Sequence, residues 1–221
     1  MPPSRDGDFM RDEIARRVDT YFGKRRPTSR PASFDYCYNY FQDFRERGDT
    51  VALADDDHLH ESCLQLGFYL ASWGMLRGSS ELLRRSLKYY VPVVETLAEM
   101  PQEVWTLDVP GYDEDSLLLL LESVRHVRGA FEHTATDTLV TKILLGVFGC
   151  VPAYDTDFRK GFGTSTLGKK SLMRVRRFYD DHASEIEASR PRTLDFRTGE
   201  ETERCYPVAK VVDMVFVQGR L

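Results

Sequence analysis

Apolar residues recur at helical spacing through most of the chain, in runs parted by Gly, Pro, Ser and Asp. That period marks helices that bury one face. It predicts an amphipathic helix from about Phe9 to Phe22. A linker follows, GKRRPTSRPAS from Gly23 to Ser33, where Pro, Ser and Arg break the period. FDYCYNYFQDFRE then predicts a second helix carrying Phe34, Tyr36, Tyr38, Tyr40, Phe41 and Phe44, a density that reads as core. From Leu59 to Met75 the chain is apolar on nearly all sides, which predicts a central buried helix, with Asp55 to Asp57 as N-cap candidates.

Beyond the RGSS break, Ser79 or Ser80 can cap a helix through Glu95, which Pro92 should kink or split. MPQEVWTLDVPGYDEDS reads as a loop with a short extended piece. Asp113 or Asp115 opens a helix containing Leu117 to Leu121, and Thr136 or Asp137 caps one that ends near Phe148. A long helix is expected from Gly168 to about Ala188. TLDFRTGEETERCY predicts a β-hairpin around Thr198 and Gly199. A last helix begins at Pro207, a residue favoured in a first turn, and runs through PVAKVVDMVFVQ. The expected fold is therefore all-α: a multi-helix, non-bundle globular domain with one small hairpin near the C-terminus. Residues 1–33 form an N-terminal helix and linker, and residues 34–221 a single helical domain. No repeat and no strand–helix alternation suggests a parallel sheet.

At 221 residues the chain is long enough for a substantial core. No apolar run reaches the roughly 20 residues that span a bilayer, and MPPSRDGDFMRDE lacks the apolar centre of a signal peptide. A cytoplasmic location is the default expectation. Cys37, Cys63, Cys150 and Cys205 are scattered without a CxxC pair, which favours buried free thiols over disulfides or a metal site.

Net charge is −5, but its distribution is uneven. From Phe158 to Arg177 there are seven basic residues, Arg159, Lys160, Lys169, Lys170, Arg174, Arg176 and Arg177, and no Asp or Glu. Removing that +7 from −5 leaves −12 on the rest. A basic stripe on an acidic body suits one anionic partner; a solvated helix face is the competing account.

Several motifs invite chemistry. GTSTLGKK, Gly163 to Lys170, approaches a phosphate-binding P-loop, but Lys170 follows Lys169 where Ser or Thr is needed, and no buried strand precedes it. What survives is a glycine-bearing loop entering a helix N-terminus, suited to a backbone phosphate. DDDHLHESC holds metal-ligand residue types, yet His58 and His60 fall on different helix faces, and no metal is implied. Trp73 and Arg77 are one helical turn apart. Arg77 either pairs with a core acid such as Asp213 or, with Trp73 stacking on a flat ligand, forms a pocket wall.

CVPAYDTDFRKGFG carries the most specific signal. Phe148-Gly149 ends an apolar helix, Pro152 sits in the following turn, Tyr154-Asp155-Thr156 comes next, and Arg159 opens a basic segment. In that order the stretch from Ala135 to His182 resembles helix–hairpin–helix DNA glycosylases of the endonuclease III type. The resemblance implies double-stranded DNA as partner and excision of a flipped, modified base. It makes Asp155 the catalytic carboxylate, and Arg159, Lys160, Lys169, Lys170, Arg174 and Arg177 the DNA-binding residues. FEHTATDTLV stands where the Gly-x-Gly hairpin would be, and the four-cysteine cluster motif is absent. Thr138 occupies the position of the nucleophilic lysine, with Lys142 one turn later as the candidate nucleophile, so the resemblance implies a monofunctional hydrolase and no cofactor. Independently of any family, a fixed carboxylate stabilises the positive charge that develops on a sugar as its base departs, or deprotonates a water. The extruded base needs a pocket, for which Trp73, Arg77 and Tyr154 are the candidates. Asp155 is equally suited to cap the next helix. The alternative function is a non-enzymatic helical protein whose basic stripe binds nucleic acid or an acidic partner.

Overall fold

The computed structural model describes residues 5–78 and 80–217, with side chains from residue 13 onward. The fold is mostly helical: α1 (Arg5–Phe22), α2 (Ala32–Glu46), α3 (Leu59–Ser72), α4 (Val91–Ala98), α5 (Gln102–Thr106), α6 (Glu114–Gly129), α7 (Asp137–Val147), α8 (Thr156–Phe162), α9 (Lys169–Asp181), α10 (Ala183–Ala188) and α11 (Val208–Phe216). A two-stranded antiparallel hairpin, β1 (Arg192–Leu194) and β2 (Glu201–Cys205), lies between α10 and α11, and Gly199 in its turn has φ +73°.

The caps explain several helix starts. Thr136 accepts the Leu139 N–H at 3.2 Å and opens α7. Asp113 and Ser116 exchange bonds at 2.8 Å in a reciprocal capping box that opens α6. Other elements depart from the periodic reading. Residues 80–95 are not one helix: two short 3₁₀ turns, Glu81–Arg84 and Leu87–Tyr90, precede α4, and Pro92 lies in the first turn of α4, where its missing N–H costs nothing. Ser80 bonds back to the Met75 carbonyl instead of capping, and Ser79 lies outside the described residues, as does Gln218 of the expected last helix. The N-cap of α3 is His58, not one of the three aspartates. The stretch expected as a loop instead holds α5 and a 3₁₀ turn at Val109–Gly111, with Leu107 and Asp108 between them as its short extended piece. The long helix to Ala188 breaks at His182 into α9 and α10.

Two helices are buried on nearly all sides: α7, whose residues from Leu139 to Val147 pack against α2, α3 and α6, and α11, buried from Val208 to Val215. α3 instead buries one face and leaves Leu64 and Phe68 in solvent. Gly146 permits the α3–α7 contact: a Cβ there would meet the Tyr69 ring at 2.4 Å. α7 stops at Gly149, at φ +70°, which a side chain would drive into Pro207 and Tyr38. α1 adds Ile14, Val18 and Tyr21 to the same core, and the Arg17 guanidinium donates to the Val215 carbonyl of α11 at 2.7 Å. Cys37, Cys63 and Cys150 are buried free thiols, and Cys205 is exposed. No helix among the described residues is long and apolar enough to cross a membrane.

Candidate functional site

The turn from Cys150 to Asp155 is held by groups on two helices, α7 and α11. Thr141 accepts the Tyr154 N–H at 2.8 Å, and Thr138 donates to the Tyr154 carbonyl at 3.0 Å. From α11, Asp213 accepts the Ala153 N–H at 3.1 Å. With its backbone polar groups satisfied in this way, the turn has one defined path, and it delivers Asp155 to the start of α8. There Oδ1 accepts the N–H groups of Asp157 and Phe158, both at 3.0 Å, as a helix cap does. Oδ2 lies 3.3 Å from the Lys142 ammonium. The carboxylate side chain keeps 23% of its surface in solvent, while Lys142 keeps 8% and also donates to the Trp73 carbonyl at 2.9 Å.

A second pair lies behind the first. Lys210 and Asp213 of α11 meet at 3.0 Å, both nearly free of solvent. The Lys210 ammonium sits 4.8 Å from the centre of the Trp73 ring, 4.9 Å from Tyr21 and 5.1 Å from Phe34. Burial pushes the Asp213 carboxyl above its ordinary value against the pull of Lys210, and Asp155 pushes it further. For Lys210, burial acts to lower the pKa, but Tyr21 and Asp213 more than offset it and hold the group charged. Trp73 joins the pairs, its carbonyl on Lys142 and its ring on Lys210.

The three residues expected to form a base pocket are therefore not together. Tyr154 is fully buried, its hydroxyl bonded to Ser171 at 3.1 Å, so it lines no opening. The Trp73 ring is occupied by Lys210, by Arg30 at 5.2 Å and by a parallel contact with Tyr21. Arg77 is exposed, with its guanidinium against Gly74, and does not pair with Asp213, which Lys210 already neutralises. None of the main surface cavities among the described residues includes Asp155.

The basic stripe is real but thinner than the sequence suggests, because acids arrive from elsewhere. Glu114 of α6 pairs with Lys169, Asp180 with Arg176 at 2.8 Å, and Asp137 of α7 approaches Arg159 at 3.9 Å. Asp137 is also held by Arg128 at 2.5 Å. Arg174 reaches back to the carbonyls of Gly163 and Phe162 at 3.0 and 3.1 Å and fixes α9 against the end of α8. Lys160, Lys170 and Arg177 are exposed and have no acidic partner among the described residues. Lys170, Arg174 and Arg177 fall on one face of α9 by their spacing of four and three. The loop from Gly163 to Gly168 and the first turn of α9 enclose an open cleft of about 410 Å³. Gly168 and Ser171 bond across the cleft's helix end at 3.1 Å. Sequence reading missed the counterions Glu114 and Asp137, since neither lies within the basic window. No group of metal-ligating side chains occurs among the described residues.

Comparison with protein-family models, with curated proteins and with solved structures finds no match to this chain.

Proposed function

We propose that the protein binds the phosphate backbone of double-stranded DNA along the outer edge of α8 and α9. The observation that carries this reading is the set Lys160, Lys170, Arg174 and Arg177, four cations without a carboxylate partner on two helices locked together by Arg174. Such a row neutralises phosphates and displaces counterions, so affinity falls steeply with salt. Four contacts correspond to a log–log salt slope of about −3.6. The variant K160E/K170E/R177E spares the guanidinium that fixes the helices. It is expected to bind a duplex about 100-fold more weakly at moderate salt, with the slope reduced to about −1, while its thermal unfolding is unchanged. Equal affinity and slope in variant and wild type would refute the reading.

A second reading, excision of a flipped base centred on Asp155, is supported by one observation: the fold brings the Lys142 ammonium to 3.3 Å from a carboxylate that retains contact with solvent. Asp155→Asn separates the two roles of this residue. Asparagine keeps the capping oxygen, so the fold is expected to lose about 1 kcal/mol or less from the cap itself. Base release from duplexes containing modified bases should fall at least 100-fold if the carboxylate is catalytic. Unchanged release, or none from the wild type on any such duplex, leaves backbone binding as the function.

A further inference from the structure

We infer that the cavity between the loop after α3 and the start of α7 binds a small amphipathic carboxylate: an apolar, ring-sized body with one anionic group. The cavity measures about 440 Å³, a volume typical of small-ligand sites. Met75, Leu82, Tyr89, Phe131 and Leu139 supply its apolar wall, with the Tyr89 and Phe131 rings 5.8 Å apart and tilted by 52°. That wall accepts the body of a ligand but cannot choose its charge.

The charge is set at the rim. One carboxylate, Glu81, lines the cavity, and Arg85 holds it at 2.7 Å together with Glu132, outside the lining, at 3.2 Å. Arg85 also meets the His133 ring nitrogen Nε2 at 3.0 Å and lies 4.8 Å above Tyr89, so its guanidinium is fully committed. Arg77 is different. It lines the same cavity with no carboxylate partner among the described residues. Its guanidinium rests on Gly74, where a Cβ would come within 3.0 Å of Cζ and Nε, so the left-handed Gly74 turn at φ +76° makes room for it. A planar cation beside an apolar wall, with the neighbouring acids already paired, is complementary to a carboxylate joined to an apolar group. A cationic ligand would find no free acid there. This site shares no residue with the cationic edge of α8 and α9 and does not depend on DNA binding.

The test uses the full chain and two probes, 2-naphthylacetate and its neutral amide, titrated by calorimetry. The acid is expected to bind, with the amide at least 10-fold weaker. Arg77→Gln, a change at an exposed position, should lower affinity for the acid to that of the amide and leave the amide unaffected. Filling the cavity with Met75→Trp or, independently, Leu139→Trp should abolish both, and the loop position keeps the test valid if the helix variant fails to fold. No heat with either probe, equal affinity for acid and amide, or Arg77→Gln indistinguishable from wild type would each overturn the assignment.

Discussion

Asp213→Ala is expected to cost the fold about 3–5 kcal/mol, the usual penalty for removing one partner of a buried ion pair. The reason is what remains. Lys210, 2% exposed, would keep its ammonium buried, facing three aromatic rings and no carboxylate. Cation–π attraction supplies about 2 kcal/mol in a desolvated setting, too little to balance an unpaired charge. The Ala153 N–H would lose its acceptor as well, and an orphaned buried donor adds about 1–3 kcal/mol. Because that N–H anchors the turn before Asp155, the variant should also loosen the α8 cap. Urea unfolding checks the cost. Replacing both partners, as Lys210→Met with Asp213→Leu, should recover the share due to the unpaired charge, since an apolar pair of similar volume is often neutral, but not the share due to the orphaned Ala153 N–H. A loss below about 1 kcal/mol in the single variant would show that the two charges are not held as described.

How far the sequence revealed this arrangement depends on whether the deciding contacts were local. Caps at Thr136 and Asp113, the stop at Gly149 and the turn at Gly199 involve residues within a few positions of each other, so their chemistry is readable directly. The same holds for Asp155, whose place at a helix start follows from Pro152 and the polar residues after it. Long-range pairing was not readable. Lys142 meets Trp73 across 69 positions and Asp155 across 13, and no spacing rule connects them. Arg77 and Trp73 looked like helix neighbours, but α3 ends at Ser72 and Gly74 turns the chain between them at φ +76°, so the helical spacing does not apply. Composition also misled on charge: the window from Phe158 to Arg177 holds no acid, yet Glu114 and Asp137 reach it from α6 and α7. α3 has apolar residues all round, as a central helix would, but the fold covers one side and leaves Phe68 69% exposed.

Asp35 supplies the other large expected effect, with a pH dependence whose sign can be worked out. This carboxylate is fully buried where the linker, α2, the hairpin and Tyr206 beyond it meet. Arg25 donates to it at 3.1 Å, the Leu194 N–H at 3.3 Å, and the Tyr206 hydroxyl makes a short bond to its other oxygen. Burial pushes its pKa up to about 6, against the opposing pull of Tyr206, Arg25 and Leu194. In the unfolded chain the same group titrates near 4. Between those two values the native state holds a proton that the unfolded state has released, so stability falls as pH rises. Asp35's contribution is fully present below about pH 4 and is lost as pH passes about 6. Across the steep part of that window the slope is about −1.4 kcal/mol per pH unit. Asp35→Asn cannot titrate and should lessen the slope of urea-unfolding free energies between pH 4 and 7 by that amount, leaving the share of Asp108, whose carboxyl burial likewise pushes up to about 6. Asp35→Ala goes further: at pH 7 it leaves the Arg25 guanidinium buried with the exposed Glu201, at 3.2 Å, as its remaining acid. A loss of about 3–5 kcal/mol is expected there. The Asn variant carries the stricter test, because identical slopes in Asp35→Asn and wild type would mean that the proton responsible resides on another group.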